Sequence, residues 1–191
     1  DVLTRLEIDD RLILVEHLPG SRRASIDELL PDLERRQLMH AELYPPESAG
    51  RAMVTRFIAL RPQMTAEEAI ESIRREDESG DAAQHLYVVD DAHRLLGIVP
   101  LLKLVATPPA TPVADLMIAE PISVSADADR EEAAQLVTRY DLLALPVTDP
   151  DERMVGVITV DDVIDVINEE ATEDIYHLAG PVSYTHLTLP T

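Results

Sequence analysis

The stretch Gly156-Val157-Ile158-Thr159-Val160-Asp161-Asp162 repeats, in looser form, a Gly97-Ile98-Val99 that lies 59 residues earlier. Working outward at the same offset, Leu86, Val88, Asp90 and Arg94 fall on Leu145, Val147, Asp149 and Arg153. Further upstream the offset becomes 64, and Met53, Ile58, Glu67, Glu68 and Ala69 fall on Met117, Ile122, Glu131, Glu132 and Ala133. One gap in the polar segment 76–83 accounts for the change. Self-similarity over this length marks an internal repeat, which constrains the fold more than any single element does.

Each copy predicts the same order of elements. A short strand (57–60; 122–124) leads to a helix capped at Thr65 or Asp129. Two strands then flank a turn at Asp90-Asp91 or Asp149-Pro150-Asp151, and a helix closes each copy from near Leu101 or Val160. A β-α-β-β-α unit of this size cannot bury both faces of its sheet, so the two copies are expected to pack together. The fold class is therefore α+β. Ahead of the repeats, Asp9 can cap a helix ending at Pro19-Gly20, Ser25 to Glu28 has capping-box spacing, and Pro45-Pro46 closes the helical region.

Composition narrows the function. The chain has 191 residues, 16 Lys plus Arg against 37 Asp plus Glu, and a net charge of −21. That charge argues against binding nucleic acid, whose phosphates are held by basic patches, and against an anionic membrane surface. Without cysteine there is no disulfide, thiolate nucleophile or Cys-rich zinc site. The longest apolar run, Leu95 to Leu102, falls well short of the roughly 20 residues that span a bilayer. No signal peptide is visible, and the opening at Asp1 without an initiator Met is the expectation for a piece of a longer protein. No phosphate-binding glycine loop or nucleophile–base order stands out, so no enzyme activity is expected. The five methionines read as core or interface filler, and the six histidines form no ligand spacing.

The acids are concentrated near the C-terminus. Residues 120–174 alone carry −13, and no Lys or Arg follows Arg153. If the last helix runs from Val160 to about Leu178, its apolar stripe is Val160, Val163, Ile164, Ile167, Ala171 and Ile175. Asp162, Asp165, Glu169 and Glu173 then line one flank at i+3 and i+4. Each like-charge pair so placed costs about 0.2–0.5 kcal/mol, and acids near a helix C-terminus oppose its dipole. A divalent ion removes that penalty, and carboxylate oxygens suit Mg²⁺. The bland alternative is a solvated acidic face, or a surface adapted to salt.

The repeat resembles the CBS domain, two of which form a Bateman module. A closer resemblance, to MgtE-type magnesium transporters, rests on three stretches: Tyr44-Pro45-Pro46-Glu47-Ser48-Ala49-Gly50-Arg51-Ala52-Met53, Tyr140 to Val147, and Thr159 through Tyr176. It implies residues 1–44 as the end of a helical N domain, 45–112 as the first CBS repeat and 113–180 as the second with its acidic helix. Residues 181–191, nearly free of charge and unlike the family, read as a non-native tail. The resemblance further implies a Mg²⁺ sensor on the cytoplasmic face of the membrane, a homodimer, and a transmembrane pore domain as partner. The Mg²⁺ ligands it implies are Asp9, Glu131, Asp141, Asp162, Asp165, Glu170, Glu173 and Asp174. Ile13 stands where the family often has a second Asp, so fewer ions are expected between helical domain and CBS pair. A rival reading also comes from the resemblance: ATP or AMP in the cleft between repeats, with Thr159 and Asp162 clasping the ribose. The first copy has Pro100 and Lys103 at those two places.

Overall fold

The computed structural model describes residue 35, residues 39–76 and residues 85–167. The expected helices before residue 35, the C-terminal half of the last helix and the tail lie outside them. In chain order the elements are α1 (Ala49–Ala52), β1 (Ala59–Leu60), α2 (Ala66–Glu76), β2 (His85–Val89), β3 (Leu95–Pro100) and α3 (Leu101–Val105). They continue as α4 (Val113–Leu116), β4 (Ile118–Ala119), β5 (Val124–Ser125), α5 (Arg130–Tyr140), β6 (Ala144–Thr148) and β7 (Met154–Thr159). A last helix, α6, follows over 160–167. The expected α+β architecture of two tandem repeats is borne out.

The two copies match in detail. In the first, β1 runs parallel to β2 and β2 antiparallel to β3; in the second, β5, β6 and β7 do the same. Both hairpins carry a register shift at equivalent places, after Val88 and after Val147. The hairpin turns are built alike. Asp90 Oδ1 accepts from the N–H groups of Ala92 and Arg94, and Asp149 Oδ1 from those of Asp151 and Arg153. These carboxylates close the turns while His93 and Glu152, each at φ 63°, reverse the chain in the left-handed region. Both helix caps form as expected. Asp129 accepts from the Glu131 N–H at 2.9 Å, and the Thr65 N–H donates to Glu68 Oε2 at 2.8 Å in a capping box.

The repeats exchange their opening segments. β4, which belongs to the opening segment of the second repeat in sequence, pairs with β3 of the first, placing Ile118 opposite Ile98 and Ala119 opposite Gly97. Reciprocally, Val54, in the opening segment of the first repeat, bridges Val157 in β7 of the second. Glycine in the repeated motif is explained by this crossing. A Cβ at Gly97 would lie 2.8 Å from the Ile118 carbonyl oxygen, and one at Gly156 would lie 2.9 Å from that of Val54. The cores follow the exchange: Val113 and Leu116 complete the first repeat's core around Leu60, Leu86 and Val99, while Ala49 and Met53 complete the second around Leu145, Val147 and Ile158. Between the sheets, Tyr87, Val89, Met154 and Val157 form a third buried cluster. Met53 and Met154 are buried, as expected of core filler, whereas Met39 is exposed.

Two sequence expectations are corrected. The pairing strands are two residues each, Ala59–Leu60 and Val124–Ser125, in place of 57–60 and 122–124; in the first copy Phe57 instead joins the inter-sheet cluster, its ring edge-on to Tyr87. The stripe of α6 also differs: Val163 and Val166 are buried, whereas Ile164 and Ile167 are 53% and 44% exposed. An i, i+3 pair is enough for a helix that meets the second core along only one side.

Candidate ligand site at the second repeat

The second repeat's strand β7 ends in a tight polar cap. The Thr159 N–H donates to Asp162 Oδ2 at 3.0 Å, and the Thr159 hydroxyl donates to the same oxygen at 2.5 Å. This is the backward half of a capping box, in which the third helical residue satisfies the N-cap donors. Both side chains are half-buried, and the two groups expected to clasp a ribose are thus brought together. In the first repeat Pro100 occupies the N-cap without a side-chain bond, and Lys103 Nζ donates to the Leu116 carbonyl at 2.7 Å. The same position therefore holds a polar cap in one copy and a tether to the exchanged segment in the other.

The candidate cation ligands are spread along two helices. Glu131 stands in the first turn of α5 and lines a groove of about 440 Å³ with Ala134, Gln135, Thr138, Arg139, Val166 and Ile167. Asp141 caps the other end of α5 in a left-handed conformation (φ 51°, ψ 44°), its N–H donating to the Val137 carbonyl. Ten residues of helix separate the two by about 15 Å at about 1.5 Å per residue, so they cannot share one ion. Asp162 and Asp165 are neighbours on α6, with Asp165 exposed. Asp9, Glu170, Glu173 and Asp174 lie outside the described residues. Among the described residues, no three Asp, Glu or His side chains converge as a cation-binding group.

The approach to α5 is what the sequence did not reveal. Residues 44–52 lie across the helix's N-terminus, and Arg130 pairs with Glu47 at 2.7 Å. Tyr44 packs on the second core, and its phenol is pushed above its usual range by burial and then by the carboxylates of Asp127 and Asp149. The one available signal was Gly50, whose Cβ would lie 2.5 Å from the Tyr44 ring and 2.9 Å from the Ala126 carbonyl.

The CBS domain family matches residues 49–107 and 113–169. The chain belongs to it. This CBS pair is 38% identical over 155 residues to the magnesium transporter MgtE of Thermus thermophilus, covering 81% of this chain and 34% of that protein. It thus spans about a third of the length of that relative. Among solved structures, the CBS pair is similar to the cytosolic domain of the Mg²⁺ channel MgtE in complex with ATP, at TM-score 0.78 and 34% identity, over 86% of this chain and 68% of that one. It is equally similar to the soluble part of a magnesium transporter, at TM-score 0.79 and 33% identity, over 88% and 66%. These likenesses bear out the resemblance to the cytosolic CBS region of the MgtE family. No helix among the described residues is long and apolar enough to cross a membrane.

Proposed function

We propose that the chain is the Mg²⁺-sensing regulatory region of an MgtE-like transporter, acting as a homodimer on the cytoplasmic face of the membrane and controlling a transmembrane pore domain. The observation that carries this reading is its 38% identity to MgtE over 155 residues, 81% of its own length, alongside the acid-rich second repeat. Its role is regulatory and not catalytic. With −13 over residues 120–174, repulsion opposes a compact arrangement until cations neutralise it. Mg²⁺ held by Glu131, Asp141, Asp162 and Asp165, with Asp9, Glu170, Glu173 and Asp174 beyond the described residues, draws the helical segment and the CBS pair together. In the whole protein that compact state holds the pore closed when Mg²⁺ is plentiful. Because about 15 Å of helix separates Glu131 from Asp141, more than one ion is required.

The experiment is a thermal unfolding series in EDTA, in millimolar MgCl₂ and in NaCl of equal ionic strength. Selective binding to the folded state raises the midpoint more in Mg²⁺ than in NaCl. Equal shifts would leave only a solvated acidic face.

A second reading is favoured by the Thr159–Asp162 pair: an adenine nucleotide, ATP or AMP, at the second repeat, in keeping with the ATP complex of the similar cytosolic domain. Calorimetric titration with ATP at fixed Mg²⁺ separates the two.

A further inference from the structure

We infer that residues 44–54, which open the first repeat in sequence, are a strap that couples the segment ahead of Tyr44 more directly to the second repeat than to the first. The strap is fastened at both ends. At one end, Ala49 N–H and Gly50 N–H donate to the Ala128 and Ala126 carbonyls at 2.8 Å each, and the Arg130 N–H donates back to the Glu47 carbonyl at 2.9 Å. At the other, Val54 and Val157 exchange both backbone hydrogen bonds, at 2.8 and 2.9 Å, while Met53 fills the space above Gly156. Upstream, residues 39–41 are helical, Ala41 is buried, and the His40 ring lies 5.6 Å from that of Tyr44. The path from helix to strap to the N-terminus of α5 is therefore continuous. A displacement of α5 or β7 moves the strap directly, whereas one inside the core of the first repeat reaches it less directly, through the chain from β1 to Val54, the inter-sheet cluster and the hairpin contacts in which the Leu95 N–H donates to the Glu152 carbonyl and the Met154 N–H to the His93 carbonyl. The inference deepens the sensing reading, on which its regulatory purpose rests, by naming the route by which the second repeat speaks to the segment upstream.

Leu86 and Leu145 occupy equivalent, fully buried positions in the two cores, which makes a matched pair of variants. Amide hydrogen exchange of the full chain is measured without Mg²⁺ for the wild type, Leu145→Ala and Leu86→Ala. Leu145→Ala is expected to speed exchange over 39–50 by about ten-fold or more, and Leu86→Ala to speed it within the first repeat while leaving 39–50 near the wild-type rate. Should either variant fail to fold, the milder pair Val147→Ala and Val88→Ala replaces it. Equal acceleration of 39–50 by both variants, or by neither, overturns the strap. Because no Mg²⁺ is present, that outcome leaves the sensing reading to its own thermal unfolding series.

Discussion

Gly156 lies directly beneath Met53: a Cβ built on the glycine would come 2.4 Å from the Met53 sulfur. The contact joins the segment that opens the first repeat to the last strand of the second, so the repeated glycine marks a crossing between halves of the molecule. Gly97 meets the backbone of Ile118 at the equivalent crossing. Both are buried in sheets where the neighbour cannot simply rotate away, although Met53 has a flexible end.

Gly97→Ala and Gly156→Ala are therefore each expected to lower stability by about 1–3 kcal/mol through overpacking. In urea unfolding both midpoints fall at an unchanged slope. A wild-type midpoint for either variant would show that its crossing is looser than the backbone contact requires.

The exchange also explains how much of the fold the sequence disclosed. Caps at Thr65 and Asp129, turns at Asp90 and Asp149 and the hairpins around them are local, and residue type within a few positions determines them. That 49–54 completes the second core and 113–119 the first depends on contacts about 70 to 117 residues apart in one direction and mostly tens of residues apart, up to about 58, in the other, for which no local pattern exists. Two offsets, 64 and 59, announced a repeat but not which half each opening segment serves. In α6 the choice between Ile164 and Val166 was equally hidden, since both fit an apolar helical face and packing alone selects one. For the site, residue type disclosed an excess of carboxylates, whereas their positions at opposite ends of α5 required the fold.

Asp162 has a structural task that any metal assay must separate from ligation. Its carboxylate caps α6 through Thr159, so Asp162→Asn is expected to cost about 0.5–2 kcal/mol even in EDTA. Asp165 is exposed, and Asp165→Asn is expected to stay within about 0.5 kcal/mol of the wild type in EDTA. Under the sensing reading both variants lose most of the Mg²⁺-specific rise in thermal midpoint. An unchanged rise in Asp165→Asn would remove that residue from the ligand set.

Acid sensitivity should include a contribution from the first hairpin turn. The Arg94 N–H, with the Arg94 guanidinium and the Ala92 N–H, holds the Asp90 carboxyl below its ordinary range. A carboxyl depressed on folding adds stability above its unfolded pKa of about 3.9 and loses it as pH falls through the lower folded value. Asp90→Asn should accordingly flatten the fall in urea midpoint below about pH 4 relative to the wild type. Parallel profiles from pH 6 downward would assign that fall to other carboxylates.

Nucleotide stoichiometry follows from the asymmetry between the two helix starts. In the second repeat Thr159 and Asp162 present a hydroxyl and a carboxylate together. In the first, Pro100 offers no hydroxyl, and the Lys103 ammonium is turned onto the Leu116 carbonyl, tethering the exchanged segment. A ribose seeking the same pair of groups finds them only once per chain. Even there a ligand competes with the cap, because Asp162 Oδ2 already accepts two hydrogen bonds from Thr159. Breaking or sharing bonds of this kind costs about 1 kcal/mol each, which weakens binding several-fold. Calorimetry with ATP should thus give at most one weak site per chain, lost in Thr159→Val and unaffected by Lys103→Met. Lys103→Met should instead lower stability by about 1 kcal/mol, since the Leu116 carbonyl loses its donor. Two tight sites per chain would mean that the clasp at Thr159 and Asp162 is not what recognises the nucleotide.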